Sequence, residues 1–457
     1  MREVYAYIEK HAERAVTCLE RLCRQPSISA QGIGLEDMAE LVAQVMREYG
    51  LSAELLPTEG GPPLVYGEIG GDAPHTLLFY NHYDVQPPDP LDEWTSPPFE
   101  PTRRGKKLFA RGASDNKGDL PVRLEAIAAL REILGTLPLS IKFIVDGEEE
   151  SGSPHFAAAV RRYKQRLAAD LCLSEGRGIG PDNTPSLVLG VKGLLYVELS
   201  AQAAQVDAHS AYAAVVPNPS WRLVEALSTL KGPDGRVALD GFYDVVRPLN
   251  AQEQKALDAM PDESAALRQA LGLEAFIDDL EGYPWRERLY GAPTCNICGL
   301  TAGYAGVGLK TVLPAKARAK LDFRLVPDQD PQQVLAQLRA HLDRHGFTDI
   351  VVQPIAADIR PARTPVDDPW VQVTARAVEE FYGHPPQMII NSPGTVPMGS
   401  LVEEVVSALF FPPGGAGYEG SRVHAPDEHI RMADLVQATQ MTALLLKRFG
   451  EAGDRHG

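Results

Sequence analysis

The sequence predicts an α/β fold, with a mostly parallel sheet covered by helices on both faces and an inserted α+β domain. Over residues 1–187 and 363–457, short apolar runs alternate with segments of helical periodicity. Residues 188–362 instead contain strongly alternating strands such as LDFRLVP, which indicates a separate unit. The 457 residues also exceed the usual size of one domain. We therefore predict a first domain made of 1–187 and 363–457, with 188–362 inserted into it.

The elements of the first domain follow in a regular order. Apolar spacing predicts helices over 3–24 and 35–49, and the runs VYGEI and TLLFYNHYDV are predicted strands. A helix over 119–133, the strand LSIKFIVDGEE, a helix near 154–167 and the strand ADLCLSEG come next, and a helix near 432–449 completes the domain. Ligands of such sheets collect at the carboxyl ends of the strands, so we expect a site there.

Composition excludes several classes of protein. The formal charge of −17 opposes binding to nucleic acid or an anionic membrane, and no run approaches the roughly 18 apolar residues of a spanning helix. The charged amino-terminal segment lacks the pattern of a secretory signal, so we expect a cytoplasmic protein. Five cysteines fit reduced thiols better than disulfides, and the Cys295–Cys298 pair lies in a strand-like run with no second pair.

Residues able to bind a cation follow several apolar runs. His82 and Asp84 end TLLFYNHYD, the glutamates of DGEEESG follow IKFIV, and Glu175 ends LCLSE. Asp115 stands between glycines before a helix, and His424 follows a glycine-rich stretch. Taken singly, each has an ordinary alternative: a buried histidine bonded to an aspartate, a helix N-cap, or a solvated acidic loop.

Together, these residues predict a metal site. The candidate ligands are two imidazoles and three carboxylates: His82, Asp115, Glu149, Glu175 and His424. Such a mixed set suits zinc, cobalt or manganese better than an all-oxygen calcium site. Five ligands exceed what one tetrahedral ion takes, but they fit two ions if one carboxylate bridges them.

The chain resembles the metallopeptidases that comprise cytosolic dipeptidases, carnosine-type dipeptidases, glutamate carboxypeptidases and aminoacylases (metallopeptidase family twenty). The resemblance covers nearly the whole chain and rests on the motifs QPSIS, HYDV, ARGASDNKG, GEEESGS, SEG, the H-S of DAHSAY, LDFRLVP and HAPDE. The first three occur in the family's order and near its spacing. It implies a hydrolase that cuts an amide bond with two divalent metal ions per subunit, zinc or else manganese or cobalt. It also implies that the first domain is catalytic and that the inserted domain is a lid and dimerisation domain.

The resemblance implies a role for each site residue. Asp115 would bridge the metals, with His82 and Glu175 completing one set and Glu149 and His424 the other. Glu148 would be the general base, and Asp84 would hold His82. The peptide bond between Asp115 and Asn116 would be cis.

Substrate contacts are implied in the same way. Arg324 in LDFRLVP would pair with the terminal carboxylate of the substrate, helped by Gly394 and Thr395 in SPGTVPMGS and by Asn296. His209 would stabilise the oxyanion from across a homodimer, although DAHSAYAAV departs from the family's glycine-containing motif. An exposed ion pair is the alternative for Arg324.

Three functions are compatible with these residues. The first is a dipeptidase or related exopeptidase acting on dipeptides or short peptides with a free C-terminal carboxylate. The second is an N-acyl or N-carbamoyl amino acid amidohydrolase, an aminoacylase or deacylase. The third is a non-catalytic binding protein on the same fold, which the full set of ligands disfavours.

Overall fold

The computed structural model of the protein describes residues 1–72, 74–179 and 184–453, and thirteen α-helices lie in these ranges. They are α1 (Arg2–Lys10), α2 (Ala12–Arg24), α3 (Leu35–Glu48), α4 (Asp119–Leu134), α5 (Phe156–Leu167), α6 (Pro219–Ser228), α7 (Ala251–Asp258), α8 (Ser264–Leu271), α9 (Gly282–Gly291), α10 (Pro331–Arg344), α11 (Pro369–Tyr382), α12 (Gly399–Glu404) and α13 (Met432–Gly453). The predicted helix over 3–24 is divided at His11, whose Nδ1 lies 2.8 Å from the Tyr7 carbonyl oxygen. No helix in the described ranges is both long and apolar enough to cross a membrane.

The strands are short and numerous. They are β1 (Ser52–Leu56), β2 (Leu64–Ile69), β3 (Thr76–His82), β4 (Thr102–Arg104), β5 (Lys107–Phe109), β6 (Ser140–Asp146), β7 (Leu171–Leu173), β8 (Arg177–Ile179), β9 (Ser186–Val188), β10 (Gly190–Val191), β11 (Gly193–Gln202), β12 (Ala208–His209), β13 (Thr294–Ala302), β14 (Val312–Leu313), β15 (Lys316–Leu325), β16 (Val351–Ile359), β17 (Ala362–Arg363), β18 (Gln387–Ile389), β19 (Ala408–Phe410), β20 (Pro413–Tyr418) and β21 (His429–Arg431).

The largest sheet has six strands in the order β1-β2-β6-β3-β7-β19. The four strands from β6 to β19 are parallel, whereas β1 pairs with β2, and β2 with β6, in antiparallel fashion. β3, β7 and β19 are buried along almost their whole length, which explains their continuous apolar sequences. The sheet therefore contains the predicted parallel strands, and the two antiparallel pairings of β2 make it a mixed sheet.

Helices cover both faces of this sheet. Leu77 and Phe79 of β3 contribute to one apolar core, which includes residues of α3, α4 and α13. Leu78 and Tyr80, which alternate with them, contribute to the core on the other side, together with residues of α5 and α12. Because successive side chains of a strand point to opposite faces, the two cores lie on opposite sides of the sheet.

A second sheet has its own core. Its four strands are all antiparallel, in the order β13-β15-β11-β16, and side chains of β11 and β15 pack with those of α6 and α10. The chain enters and leaves this part through β10 and β17, which pair with each other. The predicted limits, 188 and 362, lie beside this pair; the division into domains and the lid role stay predictions.

Candidate metal centre

The parallel strands bring the predicted ligands to one edge of the sheet. His82 is the last residue of β3, and Glu175 follows β7 by two residues. In register, His82 pairs with Asp146, the last residue of β6, so the three glutamates 148–150 begin beside His82. These positions follow from a shared strand direction, because carboxyl ends of parallel strands meet at one edge.

Two groups of side chains share Asp115. In the first, His82 Nε2 lies 3.0 Å from Asp115 Oδ1 and 3.7 Å from Glu175 Oε1. In the second, His424 Nε2 lies 3.1 Å from Asp115 Oδ2 and 3.2 Å from Glu150 Oε2. Each group can hold a metal ion, with one Asp115 oxygen directed to each.

The three adjacent glutamates are arranged differently from the prediction. The structure places Glu150, not Glu149, in the second group, and Glu149 belongs to neither group within the described chain. Glu148 is also not free, because its Oε2 lies 2.8 Å from His155 Nδ1. Residues 149–151 form a 3-10 turn, in which successive side chains point about 120° apart, so Glu149 and Glu150 face different directions. The sequence alone offered no means of choosing among three identical neighbours.

Asp84 connects His82 to the glutamate turn. Its Oδ1 lies 3.3 Å from His82 Nδ1, with both side chains fully buried, so the ring presents Nε2 to Asp115 and Glu175. The same carboxylate accepts the backbone N–H groups of Glu149 (3.1 Å) and Glu150 (3.0 Å). Asp84 therefore contacts His82 as expected, and it also orients the turn.

Asp146 holds the preceding half of that turn. Its Oδ1 accepts the N–H groups of Gly147 (2.7 Å) and Glu148 (3.2 Å), and its Oδ2 accepts the Ser153 hydroxyl (2.5 Å). Burial, then the nearby Asp84, raises the pKa of Asp146 to about 7. Asp146 is not among the site residues predicted from sequence, although its position as the last residue of a buried strand was an available signal.

Electrostatics show that the centre fits a cation. Burial raises the pKa of Glu175 to about 7, and hydrogen bonds to Asp115 and Glu150 raise that of His424 to about 10. Glu175 Oε1 is buried and, among the described residues, has no hydrogen-bond partner. An unsatisfied buried polar atom costs about 1–3 kcal/mol of folding free energy. A cation bound by these carboxylate oxygens and imidazole nitrogens would therefore be stabilising.

A network of buried hydrogen bonds holds the backbone next to the ligands in place. Arg123 of α4 donates to the Tyr80 carbonyl and, at 2.5 Å, to Asn81 Oδ1, and also to the Ser174 carbonyl, so it joins the residues that precede His82 and Glu175. Asn116 Oδ1 accepts a hydrogen bond from Asn81 Nδ2 (2.8 Å). The Asp115–Asn116 peptide bond is cis, as the resemblance implied.

The predicted carboxylate-binding residues lie together. Arg324 on β15 donates through Nη1 to Thr395 Oγ1 at 2.7 Å, and the carbonyl of Gly394 accepts the Lys192 N–H at 3.1 Å. Asn296 is less close: it pairs with Asp322 across the strands, and its Nδ2 contacts Cys298 Sγ at 3.6 Å. Arg324, Thr395 and Gly394 can thus act on one ligand, and Asn296 lies on the neighbouring strand, two residues beyond the position that pairs with Arg324.

His209 lies apart from the centre. It is exposed on β12, where its Nδ1 accepts the Ala211 N–H (3.1 Å) and its Nε2 lies 3.5 Å from Thr311 Oγ1. In the part of the chain that the structure describes, it joins neither metal group. A 3-10 helix over Ser210–Ala214 follows, which is how the chain turns without the glycines of the family's motif.

A large cavity opens beside the metal groups. Its volume is about 1910 Å³, and Asp115 and Glu175 form part of its wall. Apolar residues near α7 and β18, including Met260 and Met388, line its other side together with Lys255. Ligand sites are commonly apolar clefts with a few polar groups, which describes this cavity.

Two groups of histidine and carboxylate side chains around one shared aspartate, at the edge of a mixed sheet, are the arrangement of a two-metal site. The family model described as Peptidase family M20/M25/M40 matches residues 78–448, which is most of the chain. The chain therefore belongs to this peptidase family and is a hydrolase.

Individual relatives span nearly the same length. The crystal structure of an M20 family metallo-carboxypeptidase, Sso-CP2 from Sulfolobus solfataricus, is similar at 39% identity with a TM-score of 0.88, over 96% of this chain and 99% of that one. Human Beta-Ala-His dipeptidase is 27% identical over 97% of this chain and 91% of its own length. The Cys-Gly metallodipeptidase dug1 of Schizosaccharomyces pombe is 27% identical, with 96% of each chain covered.

Proposed function

We propose that this protein is a metal-dependent peptidase that hydrolyses the amide bond of dipeptides or short peptides with a free C-terminal carboxylate. The observation that carries the proposal is Asp115, whose two oxygens each join a separate group of ligands. The similar Beta-Ala-His and Cys-Gly dipeptidases support the dipeptide substrate, and the similar metallo-carboxypeptidase supports short peptides.

Two ions are proposed for the centre. His82, Asp115 and Glu175 would hold one, and Asp115, Glu150 and His424 the other. Nitrogen and carboxylate ligands suit zinc, with manganese or cobalt as alternatives. Such ions would supply Lewis-acid polarisation of the carbonyl group and lower the pKa of water.

Glu149 is proposed as the general base, in place of Glu148. Of the three adjacent carboxylates, Glu148 is paired with His155 and Glu150 lies against His424. Glu149 remains beside the ligands with its backbone held by Asp84. Its carboxylate would accept a proton from the attacking water and return it to the leaving amine, a role that contributes about 10²–10⁴-fold.

Arg324 is proposed to bind the terminal carboxylate of the substrate. Its planar guanidinium can form two parallel hydrogen bonds with a carboxylate, and Thr395 Oγ1 holds it at 2.7 Å. Because Gly394 has no side chain, a substrate could come close to its backbone. Asn296 could contact a longer substrate. This arrangement favours substrates whose last residue is unblocked.

A second copy of the chain is the proposed partner. Strand β13 is an edge of the second sheet, and it exposes Ile297 and Leu300. In the following loop Val307 is fully exposed and Leu309 is 93% exposed. An open edge with adjacent apolar side chains is typical of an interface. Such a homodimer would let the partner's His209 donate to the oxyanion.

A substrate panel tests the proposed function. The purified protein, loaded with zinc or manganese, is assayed on dipeptides, tripeptides, their C-terminal amides, and N-acetyl and N-carbamoyl amino acids. We expect hydrolysis of the free peptides, loss of it with a chelator, and recovery when metal is restored. A higher kcat/KM on the N-acyl or N-carbamoyl compounds would instead support an amidohydrolase of amino acid derivatives.

A further inference from the structure

The HAPDE motif contains a buried glutamate that none of the proposed roles uses. Glu428 is 1% exposed and follows His424 by four residues. Its Oε2 accepts the Gly112 N–H (2.9 Å) and Arg111 Nη1 (2.8 Å). Its Oε1 accepts the N–H groups of Ser114 (2.9 Å) and Asp115 (3.0 Å). One carboxylate thus receives four hydrogen bonds, three of them from the loop that ends at the shared aspartate.

These bonds determine where the backbone of Asp115 lies. Residues 112–115 form an irregular loop, so their N–H groups lack the partners that a helix or sheet would provide. Glu428 accepts three of them within 3.0 Å. Because charged acceptors form shorter and stronger bonds, the loop is held more firmly than neutral contacts would hold it.

The same residue is tied to the second metal group. His424 lies four residues before Glu428, and its Nε2 is 3.1 Å from Asp115 Oδ2. His424 has a φ of 62°, a left-handed conformation that few non-glycine residues adopt and that surrounding contacts must maintain. Glu428 therefore joins the backbone of one ligand to the segment that carries another.

We propose that Glu428 is a positioning residue of the metal centre, which sets metal affinity by holding Asp115 in place relative to His424. This inference rests on the proposed function for the identity of the ligands. Residues that orient metal ligands typically change metal affinity or activity by about 10–100-fold when they are replaced.

The competing explanation is that Glu428 serves only to neutralise Arg111. That guanidinium is also 1% exposed, and a buried charge left alone is strongly destabilising. The two explanations separate in a double variant. Glu428→Gln loses one acceptor oxygen and leaves Arg111 unpaired, whereas Arg111→Met with Glu428→Gln removes the unpaired charge without restoring the acceptor.

The experiment measures metal affinity without substrate, by competition between the metal-free protein and a chromophoric zinc chelator, and it records Tm for each variant. We expect Glu428→Gln to bind zinc about 10–100-fold more weakly. The double variant should regain most of the lost Tm while keeping the weakened affinity. Wild-type affinity in either variant would overturn the proposal, as would recovery of affinity together with Tm.

Asp427→Asn is the matched control. This neighbouring carboxylate accepts the Thr95 N–H (3.0 Å) and hydroxyl (2.6 Å) and contacts Arg104 (3.1 Å), and these partners lie outside the Asp115 loop. We expect unchanged zinc affinity, and a loss equal to that of Glu428→Gln would count against a specific role. Absence of hydrolysis by the wild type would refute the proposed function alone, because the affinity comparison involves no substrate.

Discussion

Glu149→Gln and Glu148→Gln, made in otherwise identical proteins, separate the roles of the adjacent glutamates. Each replaces one carboxylate by an amide, so the change in charge is the same. Glu148 is paired with His155, whereas Glu149 is left beside the metal ligands. We expect Glu149→Gln to lower kcat by about 10²–10⁴-fold, and Glu148→Gln by less than about 10-fold.

The magnitudes follow from the surroundings of each residue. Loss of a general base corresponds to about 3–5 kcal/mol of transition-state stabilisation. The side chains of the Glu148–His155 pair are 14% and 32% exposed, so solvent screening limits the free energy of this interaction to about 1 kcal/mol or less. Metal should remain bound in both variants, since neither residue belongs to a described ligand group.

The assay measures kcat and KM at saturating metal, with metal content and Tm recorded for each protein. Glu150→Gln provides the third comparison, because it should lose metal from the second group and recover partly at high metal concentration. The assignment is refuted if Glu148→Gln, with full metal content, is slower than Glu149→Gln.

Three further predictions concern the substrate, the metal-free centre and the dimer. Arg324→Ala should raise KM about 10–100-fold for free peptides while leaving C-terminal amides nearly unchanged, because the guanidinium pairs only with a carboxylate; equal losses on both would contradict this. In the folded, metal-free protein, hydrogen bonds to Asp115 and Glu150 raise the pKa of His424 from its ordinary 6.5 to about 10. The protonated ring therefore stabilises the folded state fully below pH 6.5, and this contribution is lost as pH rises through 10. The Tm of the metal-free protein should fall over this pH window, and it should fall less in His424→Gln. Leu309→Asp should weaken the dimer in light scattering and lower activity in parallel; an active monomer would exclude a shared site.

Much of the fold could be predicted because each strong signal is local. The helical spacing before Glu48 and the apolar runs ending at His82 and Leu173 depend on neighbours in sequence, and the structure contains these elements. The sequence did not indicate that β2 would run antiparallel to both of its neighbours, because strand direction depends on which partners a strand meets. The break at His11 was also missed, since apolar spacing continues across it.

The sequence by itself determined which residue types reach the metal centre, namely histidine and carboxylate side chains, some of them at the ends of buried strands such as β3. Only the tertiary structure decided which of three adjacent glutamates faces His424. That choice depends on the backbone N–H groups of residues 147–150, which donate to Asp146 at the end of β6 and to Asp84 just after β3. The sequence likewise does not predict the role of Glu428, because its partners are backbone N–H groups more than 300 residues away in the chain. Backbone groups are chemically the same at every position, so only folding shows which of them a side chain will hold.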